Sequence, residues 1–223
     1  MKLSPRARSS FPQYSPGERR ADLGVHVAGL LLAAIAAPLL LVIGIDQSGA
    51  RAALGLALYA AGLLAMLAFS AGYNMTARAR SKEILRRFDR AAIYCMIAGT
   101  YSPFALDRIA GAPGIGLFVV LWCLAVLGVV LAFAFPRTSD RVALALYLSM
   151  GWSIVIAIGP LVEAVPREVV ALLLAGGAVY TLGVAFHLAR RLPYHNAVWH
   201  GCVLAAAGCH YAAVFSSFAL TAA

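Results

Sequence analysis

Three pairs of polar residues, each spaced four apart, stand inside stretches that are otherwise apolar: Asp22 and His26, Ser70 and Asn74, Asn196 and His200. Asp89 and His210 sit in similar surroundings. A spacing of four puts two side chains on one face of a helix. The chemistry open to these types is narrow. Asp and His together can take a proton from water and pass it on. Imidazoles can also ligate a metal ion that makes bound water nucleophilic.

The elements that carry these pairs are membrane helices. Of the 223 residues, 62% are hydrophobic and 12% charged, against about 25% charged in a soluble domain. Seven runs reach the roughly 20 apolar residues that a span needs, over 23–45, 52–76, 90–109, 114–135, 141–161, 168–189 and 195–220. The breaks between them are short and turn-like: DQSGA, ARARSKEILRR, AGAPG, PRTSD, EAVPRE and RRLPYH. The expected organisation is a polar tail over 1–22 and one all-α, seven-helix membrane domain over 23–221. The first apolar run is too long for a signal-peptide core and is read as a retained anchor. In the third span, Pro103 can kink or end the helix. The four cysteines lie in apolar segments without CxxC spacing and read as free thiols.

Basic residues orient the bundle. With the N-terminus cytoplasmic, the inner segments hold Lys2, Arg6, Arg8, Arg19, Arg20, Arg78, Arg80, Lys82, Arg86, Arg87, Arg90, Arg137, Arg141, Arg190 and Arg191. Only Arg51, Arg108 and Arg167 remain outside. That asymmetry predicts an N-in, C-out protein of the cell membrane, in a bacterium the inner membrane. It also explains the net charge of +9 through anionic headgroups, with no nucleic-acid partner. Membrane lipids, and a lipid-like small molecule, are the partners such a chain implies.

On this topology Asp22, His26, Ser70, Asn74, Asp89, Asn196 and His200 share one depth near the cytoplasmic face. His210 lies ten residues further along the last helix, about 15 Å deeper. Charged groups inside a membrane cost about 2.5–3.5 kcal/mol on insertion scales and tend to face the bundle interior, where they carry function. Ordinary readings exist for each residue alone. Asp22 and Asp89 suit helix N-termini, and His26 or His200 can bond a neighbouring helix. His195, beside RRLP, reads as a solvated loop histidine. Tyr101, Trp152 and Trp199 read as bundle or interface aromatics. It is the convergence of several pairs that points to a site.

The stretches GERRADLGVHVAG, SAGYN, ILRRFDRAAIYCMIAGTYSPF and NAVWHGCVLAAAGCHY resemble the blocks of the hemolysin III family. This is the bacterial branch of the progestin and adipoQ receptor group, within the CREST superfamily of putative membrane hydrolases. The blocks cover helices 1 to 3 and 7; helices 4 to 6 match in hydropathy and length. The resemblance implies seven helices with the N-terminus inside. It also implies a zinc site with one His from helix 2, two from helix 7, and a Ser and an Asp that hold a zinc-bound water. Residue by residue, Ser70, Asp89 and His200 match that pattern. Asn74 and Asn196 stand where two of the zinc-ligating histidines are expected. An amide oxygen is a poor zinc ligand, so the implied cage is degenerate. A rearranged metal site from His200, His26 and Asp89, with His210, is one alternative, and a metal-free polar cluster is the other.

Two functions follow, and a third is weaker. The first is a membrane-embedded hydrolase of a lipid amide or ester. In it Asp89 is the general base or water holder, His200 and His26 are ligands or proton carriers, and Ser70 and Asn74 are polarising groups. The second is a non-enzymatic membrane-homeostasis or lipid-sensing protein. Its polar cluster would act as a proton-linked or ligand-binding switch. The third, a pore, would need a polar stripe along its whole length, and the outer halves of the spans are rich in Leu, Ala and Val.

Overall fold

The computed structural model describes residues 14–46, 49–109, 111–136 and 140–218. Every regular element among them is helical: α1 (Pro16–Asp46), α2 (Ala50–Met75), α3 (Ala79–Pro103), α4 (Gly111–Ala134), α5 (Asp140–Gly151), α6 (Ile158–Ala164), α7 (Arg167–Leu188) and α8 (His195–Phe218). A π turn, Phe104–Arg108, extends α3, and a 3-10 turn, Trp152–Val155, follows α5. The start of α1 is written in Ser-Pro-Gly-Glu. Ser15 Oγ accepts the Glu18 N–H at 3.2 Å, and Glu18 Oε2 accepts the Ser15 N–H at 2.8 Å. Pro16 takes the first helical position, where no N–H is needed. Residues 16–22, read from the sequence as tail, are therefore helical.

Five helices (α1, α2, α4, α7 and α8) are long and apolar enough to cross a bilayer. The pair α5 and α6 makes a sixth if its two halves, bent by 56°, form one span. The seven-span expectation is thus met in part. Helix α3 falls short because its first turns hold Arg80, Lys82, Glu83, Arg86 and Arg87. The expected continuous span over 141–161 is instead broken between Gly151 and Ile158. Pro160 supplies a reason: it has no N–H for the Ile156 carbonyl, and its ring crowds that carbonyl. Tyr101 bridges the break, its hydroxyl donating to the Gly151 carbonyl at 2.5 Å and accepting the Ile154 N–H at 2.8 Å.

Large apolar side chains such as Leu31, Ile35, Val42 and Val126 point outward, as they do when the solvent is lipid. Helix association then rests on close packing of small residues. At Gly55 an added Cβ would lie 2.5 Å from the Pro103 Cα, and at Gly99 2.9 Å from the Leu58 carbonyl oxygen. Helices α2 and α3 therefore touch backbone to backbone. Leu121, Ala125, Gly128 and Ala132 form the buried stripe of α4, which lies against α3. Helix α1 sits between α2 and α8, and α7 pairs with α8. The first and last helices are neighbours, which is what assembles the polar cluster.

Candidate functional site

Helix α1 is docked on α8 by its own first turn. Glu18, besides capping the helix, accepts the Tyr194 N–H at 3.0 Å. Tyr194 sits at φ 59°, in the left-handed region, and α8 begins at the next residue. One turn along α1, Asp22 Oδ1 lies 2.5 Å from His200 Nδ1, and Asn196 Nδ2 donates to Asp22 Oδ2 at 3.2 Å. A carboxylate is an acceptor only, so His200 Nδ1 carries the hydrogen and Nε2 is left as the acceptor. One further turn along, His26 Nε2 stands 3.6 Å from Asp22 Oδ2, too far for a hydrogen bond. The His26 and His200 rings are 4.4 Å apart between centroids. Both residues are buried.

Beside this cluster lies a cavity of about 160 Å³, with room for several waters or a stretch of acyl chain. Its polar end is formed by His26 of α1, Ser70 of α2, Asp89 of α3 and His200 of α8. Ser70 and Asp89 line that end from adjacent helices. The walls are largely apolar, with Met66, Ile97, Phe104, Leu148 and Leu204 among them. The break after α5 contributes Trp152 and Ile154.

The predicted site residues thus divide. Asp22, His26, Asn196 and His200 come together, and Ser70 and Asp89 face the same cavity from the other side. Asn74 turns away, its amide donating to the Ser70 carbonyl of its own helix at 2.9 Å. His210 lies further down the cavity, a ring nitrogen 3.2 Å from the Leu173 carbonyl oxygen. It has space there only because Gly176 lacks a Cβ, which would fall 2.4 Å from the ring. His195 is buried rather than solvated. The Tyr14 ring lies beside it, tilted, 5.8 Å away between centroids, and burial pushes the Tyr14 phenol up to about 12. Sequence reasoning passed over Tyr101 and Trp152, which shape the cavity at the broken helix. The signal was present in Gly151, Gly159 and Pro160.

The zinc arrangement that the resemblance implies does not fit these residues. Of its three ligand positions, two hold amides with other partners: Asn74 on Ser70, Asn196 on Asp22. Zinc sites take imidazole, thiolate or carboxylate donors.

The model of the Haemolysin-III related family matches residues 21–211. The chain is 34% identical over 188 residues to Hemolysin-3 of Bacillus cereus, covering 84% of this chain and 85% of that one. It is 32% identical over 187 residues to the Hemolysin-3 homolog of Bacillus subtilis (strain 168), covering 84% and 88%. Human monocyte to macrophage differentiation factor is 27% identical over 164 residues, covering 71% and 68%. With apolar helices of spanning length and this coverage, the chain belongs to the haemolysin-III-related family of membrane proteins.

Proposed function

We propose that this chain is a seven-span protein of the bacterial plasma membrane, N-terminus inside, that takes up a lipid-like ester or amide and hydrolyses it at Asp89. The carrying observation is one cavity with largely apolar walls and His26, Ser70, Asp89 and His200 at one end. In this reading α3 is the seventh span, its basic first turns lying at the cytoplasmic surface, and α5 with α6 is one broken span. The basic residues, gathered at that end, support the orientation.

The acyl chain lies along the apolar walls and brings its carbonyl to the polar end. Asp89 accepts a proton from water, with Ser70 holding the carboxylate in place. The hydroxide adds to the carbonyl carbon, and the developing oxyanion lies at the polar end that His26 lines. The tetrahedral intermediate expels the alcohol or amine, which takes the proton back from Asp89. His200, locked by Asp22, shapes the opposite wall.

Purified protein in detergent, given long-chain acyl esters and amides, is expected to release free fatty acid, read by mass spectrometry. Asp89→Asn should lower turnover by about 100-fold or more, the usual range for a general base, with ligand affinity little changed. Binding without turnover across the panel would overturn hydrolysis and leave lipid sensing. One observation favours that second reading: the family's zinc positions are occupied by amides with structural hydrogen bonds. The relatives' name suggests pore formation, but the largely apolar walls offer no continuous polar path.

A further inference from the structure

We propose that Asp22, His26 and His200 form a binding site for a divalent transition metal of the zinc class, displaced from the zinc position of the family. One carboxylate and two imidazoles, from α1 and α8, each offer a donor atom, and these atoms all lie within 4.8 Å of one another. Two imidazoles with one carboxylate are a recognised catalytic zinc donor set. The spacing of four in α1 turns Asp22 and His26 to one face, and α8 supplies the third donor from across the helix interface.

The distances suit a small ion. Around a tetrahedral metal with bonds of about 2.0–2.1 Å, neighbouring donors lie about 3.3–3.5 Å apart. Asp22 Oδ2 and His26 Nε2 are 3.6 Å apart, and Asp22 Oδ1 and His200 Nδ1 2.5 Å. A spacing slightly too long and one too short bracket the metal-bound value, so small side-chain rotations admit the ion, which takes the place of the hydrogen on His200 Nδ1.

A second, independent observation points to a ligand. His26 is 5% exposed, and its Nε2 has no hydrogen-bond partner among the described residues. A buried ring nitrogen without a partner is uncommon, and this one is directed at the Asp22 carboxylate. Bonding to a metal would satisfy it. Asn196 donates to Asp22 Oδ2 and so holds the carboxylate in orientation, the support that metal-bound carboxylates ordinarily have. Both histidines also line the cavity, which leaves a coordination position for water or a ligand group. The family's position uses His200 with residues of α2 and the first turn of α8; here Asp22 and His26 of α1 take over the other two places, and Asn74 and Asn196 are not ligands.

The inference does not rest on hydrolysis and is tested without it. The full chain, purified in detergent, is stripped with chelator, reloaded with Zn²⁺ alone and passed through a desalting column before elemental analysis. Wild type should retain about one zinc per chain. Asp22→Asn and His26→Gln should each weaken retention by about 10-fold or more, the scale on which even supporting residues act, whereas Asn74→Ala should leave it unchanged. Size-exclusion profiles report whether each variant is folded. Should the α1 variants fail to fold, X-ray absorption of the zinc-loaded wild type decides, with two imidazoles and oxygen donors expected. No zinc in wild type, undiminished zinc in the folded α1 variants, or a shell with fewer than two imidazoles would overturn the site. Zinc retention without fatty-acid release would leave this site standing and sink the hydrolase.

Discussion

Asp22 joins three side chains with two oxygens. It holds His200 at 2.5 Å, receives the Asn196 amide at 3.2 Å and stands 3.6 Å from His26. Replacing it by Ala removes two hydrogen bonds from the α1–α8 interface and leaves His200 Nδ1 buried without a partner. Hydrogen bonds to charged groups contribute about 1.5–3 kcal/mol. Asp22→Ala is therefore expected to lower the thermal midpoint of chelator-treated protein in detergent. Asn74→Ala, which touches only its own helix, should do so by much less. The pairing of Asp22 with His26 was legible in their spacing, and the meeting of α1, α2, α3 and α8 residues around one cavity was legible in hydropathy and charge. Which way each amide turns was not. Asn74 and Asn196 look equivalent in sequence, yet one bonds within its helix and the other across an interface. His195 was misread because the residue packed beside it, Tyr14, is 181 positions away along the chain.

At the scale of the element, the break between α5 and α6 is the departure with most consequence. A helix interrupted inside a membrane leaves carbonyl and amide groups that water cannot reach, so the protein itself must satisfy them. Tyr101 does so for the Gly151 carbonyl and the Ile154 amide. Tyr101→Phe keeps the ring and removes both bonds. The expected outcome is a loss of about 1–3 kcal/mol of stability and faster amide hydrogen exchange confined to residues 151–158. Unchanged exchange there would show that the break is held by packing alone. Gly151, Gly159 and Pro160 carried the warning in sequence. Hydropathy averaged over a window cannot see a break, since both halves are apolar, and the cap lies on another helix.

For the molecule as a whole, the proposed orientation rests on charge. Reporter fusions after Arg87, Arg141 and Arg191 are expected to report the cytoplasm, and a fusion after Ala223 the outer side; any other pattern would reverse the arrangement proposed above. Ion pairing is consistent with a basic face there: Asp140 at the start of α5 pairs with Arg90 of α3 and with Arg190 beyond α7. At the far end Arg108 donates to the Ser217 carbonyl and lies 4.3 Å over the Phe218 ring, fastening α8 to the turn after α3.

The contact between α1 and α8 sets an order of events during synthesis. Asp22 and His200 are separated by 178 positions, so the ribosome delivers one partner at the beginning of the chain and the other near its end. For all that time Asp22 lacks its two α8 partners, His200 and Asn196, and a charged group in an apolar helix is tolerated only with such partners, headgroups or water. A nascent chain stopped before residue 195 would carry Asp22 without either of those bonds, so the α1–α8 contact closes only when synthesis is nearly complete.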